Sequence, residues 1–338
     1  MKRKLPRISW FVALAVLSAI SCKKNSSFSV TPANVFIAGS TAYSAAYWNN
    51  GQVSYLTSDS ISSANAIYVS GSDVYIGGAV FVNGFGNIPS YWKNGSVNYL
   101  SLPDSNNTVG IVNSIFVSGS DVYAAGTAGN QITDSTTYAV LWKDGNISIL
   151  DSAAGFDSLY NIPCTVNSIF VSGADVYASG YGHNGACYWK DGSAASLGTD
   201  PNTVANGLFI SGSDVYVAGQ QTDSIYSVAT CWKNGTVEPL TLAANSNSVC
   251  RSVFVSGANV YVCGNQAVNN SSSVATYWEN GSPVVLGNGT GNSDAYSIFV
   301  KGSDVYVAGV DNDKACYWKN GTEILLAPTA VAKSLFVQ

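Results

Sequence analysis

The chain is short of charge, of methionine and of histidine. Charged residues make up 10% of its 338 positions, and it holds one Met and one His. Glutamate occurs only at Glu238, Glu279 and Glu323. Amphipathic surface helices draw on Glu, Lys, Ala and Leu, so this shortage argues against a helical fold. The formal charge of -5 comes without a basic stripe, which excludes the electrostatic footprint of a nucleic-acid binder. No CxxC pair or Cys/His spacing of a metal site occurs. No GxxxxGK[ST] phosphate loop is present, and Gly84-Phe85-Gly86 and Gly287–Gly291 read as turns, not as a dinucleotide fingerprint. No serine sits in a Gly-x-Ser-x-Gly context, and a Ser-His-Asp triad would have to use the single His183. No cofactor is expected.

What is abundant is Gly, Ser, Asn, Val and Tyr, the vocabulary of strands and tight turns. The chain has eight tryptophans, and seven recur in one phrase, Trp-x-(Asn/Asp)-Gly, at Trp48, Trp92, Trp142, Trp189, Trp232, Trp278 and Trp318. A second phrase, of SGSDVY type, places its glycines at Gly71, Gly119, Gly173, Gly212, Gly257 and Gly302. There are thus seven Trp hairpins and six SGSDVY hairpins. The ends supply the missing half-units: Asn34–Gly39 matches the second strand of the hairpin only, and Ser334–Gln338 the first strand only. A closed ring gains a clasp from such a split, and a linear solenoid gains nothing. Repeats of 40–50 residues with four strands each are the mark of a β-propeller. The expectation is all-β: a seven-bladed β-propeller of four-stranded antiparallel blades over residues 33–338, closed when 334–338 joins the N-terminal blade.

One blade can be written out. Ser114–Ser118 is the innermost strand A and Asp121–Ala125 is strand B. The Gly119-Ser120 loop between them suits a type II′ turn, which sets Phe116 opposite Tyr123 and Val117 opposite Val122. Tyr138–Trp142 is strand C, and Asp144-Gly145 signals a type I′ turn into strand D. A Trp repeated once per blade is core, worth about 4–6 kcal/mol by area when fully buried. Asp73, Asp121, Asp175, Asp214 and Asp304 repeat equally and read as hydrogen-bonding turn residues. The six cysteines after the leader fall in small buried slots and read as structural free thiols.

The A–B and C–D turns are tight in every blade and belong to one rim. The variable B–C and D–A connections belong to the other, where binding is expected. The longest are read as Ala79–Pro89, Thr127–Thr137, Asp151–Val166 and Asn265–Ser273. Phe81, Phe85, Asp134, Phe156, Tyr160, His183 and Tyr226 are the candidate ligand-binding residues there. Asp311 and Asp313 are weak candidates for Ca²⁺, with no downstream Gly or Glu to complete a loop. Rim carboxylates at Asp134, Asp157, Asp223, Asp294 and Asp311 keep open a second reading, a glycosidase or lyase.

Before the repeats, Lys2–Arg7 is basic and Ile8–Ile20 is apolar but too short to span a bilayer, so residues 1–21 read as an export signal. Ala19-Ile20-Ser21-Cys22 resembles the lipobox of bacterial lipoproteins. The resemblance implies a lipid on Cys22, a tether over 22–32, the membrane as a partner through that anchor, and residence in the bacterial cell envelope. The repeats are similar to WD-repeat blades in layout, and Ala315–Gly321 (ACYWKNG) is similar to the AFLWxNG segment of HAF-type extracellular repeats. The whole region resembles bacterial β-propeller lipoproteins with a YWKNG-type repeat. That resemblance implies architecture and no activity. The expected role is a binding or scaffolding module for a protein or glycan ligand, with no nucleic acid partner.

Overall fold

A computed structural model describes residues 33–338 apart from 42–43, 58–60, 104–107, 131–135, 154–163, 199, 201, 224, 244–245, 270–271 and 288–290. It is a seven-bladed β-propeller with four antiparallel strands to a blade. Blade 1 is split: its inner strand A is Val331–Val337, and strands B, C and D are Val35–Ser40, Ala45–Asn49 and Gln52–Tyr55. Strand A of blades 2 to 7 is Ser62–Ser70, Thr108–Ser118, Thr165–Ser172, Val204–Ser211, Ser248–Ser256 and Ser293–Lys301. These inner strands touch their neighbours all the way round the ring.

The closing strand starts earlier than its sequence match. Val35 to Ala38 pair with Val337 to Ser334, and pairing resumes at Gly39↔Ala332 and Ser40↔Val331 across a bulge. Asn34 and Gln338 add two backbone hydrogen bonds of 2.8 and 2.9 Å. Matching by the SIFVS phrase stops at Ser334 because the bulge at Lys333 breaks the alternation.

The turns follow from backbone chemistry. Gly119 has φ +61° with Ser120 in ordinary space, the pattern of a type II′ turn, and Phe116↔Tyr123 and Val117↔Val122 pair across it. Asp144 and Gly145 are both left-handed, at +49° and +83°, the pattern of a type I′ turn. Asn and Asp tolerate that conformation, and here they also act as acceptors. In all seven blades the carboxamide or carboxylate of this residue accepts the N–H at the start of strand B, as Asp144 Oδ1 does from Val122 (2.9 Å) and Asn320 Oδ1 does from Val305 (2.8 Å). That bond ties the C–D turn to the A–B turn and explains why the repeat phrase requires Asn or Asp.

Packing lies between blades. Each repeat Trp is at most 1% exposed and sits against the preceding blade: Trp48 with Ala308 and Ala315, Trp189 with Ala125 and Ala139, Trp232 with Tyr177 and Ala186. Small residues in the preceding blade make room for the indole. Trp142 and Trp278 donate Nε1–H to the carbonyls of Ser101 and Thr241. The six cysteines are buried and free. Burial pushes the thiols of Cys164, Cys187 and Cys231 up to about 12, which leaves them unreactive.

The repeated aspartates do more than shape a turn. Asp73, Asp121, Asp175, Asp214 and Asp304 pair with Lys93, Lys143, Lys190, Lys233 and Lys319 at 2.7–3.0 Å. Each lysine also lies over the strand-B tyrosine, 5.1–5.3 Å from the ring centre. Blade 6 inverts the pair as Asn259 and Glu279, and Tyr261 donates to the Glu279 carboxylate at 2.9 Å.

Candidate functional site: the variable rim and the channel beneath it

Every B strand starts at the tight-turn rim, so extra length appears at the other. Strand B has ten residues in blades 2, 3 and 5 and eleven in blade 6, against six, eight and eight in blades 1, 4 and 7. The rim is therefore uneven, with tall hairpins in blades 2, 3, 5 and 6. This corrects the loop reading of three segments, and in one of them Thr127–Gly129 is paired with Thr137–Ala139. Ala79–Val82 is paired with Gly86–Pro89, and Asn265–Ala267 with Ser273–Ala275. Glycines and Pro89 suggested a loop, but Gly86 (φ +84°) bends a hairpin end and Pro89 still offers its carbonyl, to Leu100 N–H. Asp151 likewise belongs to a strand, Asn146–Ala153.

The expected site residues are scattered over several blades. Phe81 and Phe85 both lie at the rim end of the blade 2 hairpin, 38% and 71% exposed. Phe85 N–H donates to Val82 and Phe81 N–H to Ile61, itself 57% exposed. Three exposed large apolar residues thus lie on blade 2 at this rim. Tyr226 begins strand C of blade 5, paired with Asp223 beside the exposed Ile225. His183 stands alone on the short blade 4 hairpin. Asp151 of blade 3 holds its Nδ1 at 2.8 Å and its backbone N–H at 3.2 Å, and Asn184 Nδ2 lies 2.7 Å from Nε2. With Asn184 donating to Nε2, Nδ1–H donates to Asp151, and no serine, threonine or cysteine among the described residues is hydrogen-bonded to the imidazole. Asp311 and Asp313 belong to a two-residue hairpin: Asn312 and Asp313 have φ +50° and +61° between paired Asp311 and Lys314. Asp311 Oδ1 accepts from Asn312 Nδ2 at 3.0 Å. No group of three His, Cys, Asp or Glu suited to a metal occurs among the described residues. Cys22, Asp134, Phe156 and Tyr160 lie outside the described residues.

The channel holds what sequence reading missed. All seven A strands carry a bulge at the same place, where one residue has no partner in strand B. The strand-B glycine facing it is the last residue of the DVYVAG phrase. At Gly219 an added Cβ would fall on the carbonyl oxygen of Val204, and at Gly39 on that of Val331. Glycine therefore permits the bulge. The seven unpaired residues are Asn65, Asn113, Asn167, Asn206, Arg251, Tyr296 and Lys333, and they line one cavity of about 140 Å³. Four asparagines bind round the ring, each Nδ2 donating to a main-chain carbonyl of the next blade: Asn65 to Val112, Asn113 to Val166, Asn167 to Ala205 and Asn206 to Cys250, at 2.8–2.9 Å.

Three residues further along each A strand comes an aromatic. Tyr68, Phe116, Phe170, Phe209, Phe254, Phe299 and Phe336 form a closed collar, with neighbouring ring centres 4.7–5.2 Å apart. Strand A runs toward the tight A–B turn, so the collar lies on that side and the polar ring lies toward the variable rim.

The sequence matches no protein-family model and no curated protein. Solved structures share the fold. A puromycin-hydrolysing peptidase of Mycobacterium tuberculosis is similar with a TM-score of 0.54 at 11% identity, over 85% of this chain and 50% of that one. An acylaminoacyl peptidase of Pyrococcus horikoshii (TM-score 0.48, 13% identity) is covered to 52% by 88% of this chain. The β-propeller domain of the Trilobed protease from Pyrococcus furiosus (TM-score 0.48, 10% identity) is covered to 99% by 88% of this chain. The chain thus spans about half the length of the two whole peptidases. At 11% identity the likeness to the mycobacterial peptidase is one of fold.

Proposed function

We propose that the protein is an envelope-anchored lipoprotein that binds or scaffolds a protein or glycan ligand through its variable rim. The observation that carries the binding part of this reading is the end of the blade 2 hairpin at the variable rim, where Ile61, Phe81 and Phe85 are exposed to solvent. Exposed aromatics on a rigid support are the usual anchors of sugar and protein recognition. The test is a glycan-array and envelope pull-down screen with the wild type and a Phe81→Ala/Phe85→Ala variant. Capture lost in the variant, with melting unchanged, supports the reading. Release of product from a polysaccharide would replace it with a carbohydrate-active enzyme. The anchor is tested separately: Cys22→Ala should move the protein from the membrane to the soluble fraction, and a variant that stays membrane-bound defeats the lipid anchor.

A further inference from the structure

The seven bulge residues repeat in position and not in chemistry. Asparagine occupies four places, and the other three hold Arg251, Tyr296 and Lys333 on consecutive blades. Lys333 Nζ donates to Asn65 Oδ1 at 2.8 Å and meets no carboxylate among the described residues. It is largely buried, and burial draws its ammonium below the ordinary lysine range. A desolvated cation held only by a neutral amide is costly unless an anion completes it. Arg251 stacks on Tyr296, 5.0 Å from the guanidinium carbon to the ring centre. Its carboxylate partner, Asp294, stands at 3.6 Å, beyond hydrogen-bond length, and its buried Nε has no acceptor among the described residues. The wall therefore carries two cations against one carboxylate.

That balance selects the ligand. One excess positive charge suits a monoanion better than a phosphate monoester, which carries about -1.5 to -2 at neutral pH. The asparagine wall supplies amide groups for hydroxyls: Nδ2 of Asn65, Asn167 and Asn206 each has a second proton left after its carbonyl bond, while that of Asn113 also donates to Thr165 Oγ1 (3.2 Å). The cavity, about 140 Å³, is near the roughly 150 Å³ that holds one benzene, so it takes the carboxylate end of a sugar acid and the remainder extends toward the variable rim. The lowest part of the rim is formed by blades 7 and 1, the blades that carry Tyr296 and Lys333.

We propose that this end of the channel is a binding site for a sugar acid, whose carboxylate lies between Lys333 and Arg251 and whose hydroxyls meet the asparagine ring. The site is distinct from the apolar rim tip and stands whether or not that tip binds anything.

The test is calorimetric titration of the full-length protein with galacturonate, with galactose, acetate and inorganic phosphate as comparisons. Galacturonate should bind saturably at one per chain, and more tightly than each of the other three. Losing one charge-assisted bond should weaken it about tenfold or more in Lys333→Gln. Lys333→Arg should recover part of the loss, and Phe81→Ala/Phe85→Ala should leave it unchanged. The proposal is overturned if galacturonate and glucuronate both fail to bind at about 10 mM, well above the millimolar affinity of a weak site. Binding that survives Lys333→Gln overturns it too, as does phosphate or acetate binding as tightly as the sugar acid. If Lys333→Gln unfolds, Arg251→Gln, on a different blade, takes its place under the same criteria.

Discussion

Two collars line one channel, three residues apart on the same seven strands. One is aromatic in every blade, and its rings lean on each other in an unbroken circle. The other sits on bulges and reads Asn, Asn, Asn, Asn, Arg, Tyr, Lys. The difference comes from pairing. Phe116 lies within the ladder, opposite Tyr123, and its ring touches both neighbouring blades. Asn113 lies outside the ladder and owes the sheet nothing but its main chain. Positions inside the ladder are aromatic in every blade, and positions outside it differ between blades.

The comparison can be broken at several strengths. The largest effect should come from deleting Val331–Gln338. That removes the inner strand of blade 1, takes Phe336 and Lys333 out of both collars, and leaves a bare edge at Val35–Ser40. The expected outcome is loss of cooperative melting by calorimetry, and a truncated chain that melts like the full one would refute the closure. Next, Phe209→Ala should cost about 3 kcal/mol in urea unfolding. Asn206→Ala, on the same strand, should cost only about 1 kcal/mol, the worth of its bond to Cys250. Equal losses at the two positions would erase the distinction between the collars. Gly219→Ala should destabilise by about 1–3 kcal/mol because its methyl must displace the Val204 carbonyl. A neutral outcome there would mean the bulge does not need glycine.

The smallest effect belongs to the tight-turn rim. Asp73 is held below its usual range first by Asn94, and Asp121, Asp175, Asp214 and Asp304 by their lysines. A depressed folded-state value means the unfolded chain binds protons first as the solution is acidified. Stability from these groups is therefore present above the ordinary carboxylate value of about 3.9 and fades as pH falls through the folded value. Replacing all five by Asn should flatten the acid limb of a melting curve below about pH 4 while moving the neutral-pH melting point little. An unchanged acid limb would show that the pairs contribute nothing.

Much of this was legible from the chain. Trp-x-Asn-Gly and Ser-Gly-Ser-Asp announce turns whose dihedral demands few residues meet, so they fixed register, blade count and the buried indoles. The aromatic position was equally plain, because Phe116 and its counterparts recur at a set distance before glycine. The polar ring was not. A bulge adds one residue without disturbing the phrases on either side, and strand A was read as starting at Ser114, one place after Asn113. Phe81 and Phe85 stand out as rim residues, but the sequence marks their segment as a loop because Gly84, Gly86 and Pro89 signal turns more often than strand ends. His183 gave no sign of Asp151, since the two meet only when adjacent blades pack.

Blade 1 also bears on circular permutation. Asn34 and Gln338 face each other as Asp121 and Ser118 do in blade 3, with a Gly-Ser dipeptide missing between them. Joining them through Gly-Ser would turn the clasp into a seventh ordinary hairpin, and the ring could then be reopened between any two blades. Such a permutant would contain seven unsplit blades and a seam held by side chains alone. Its unfolding rate against that of the native order would report how much the strand exchange slows the ring's opening.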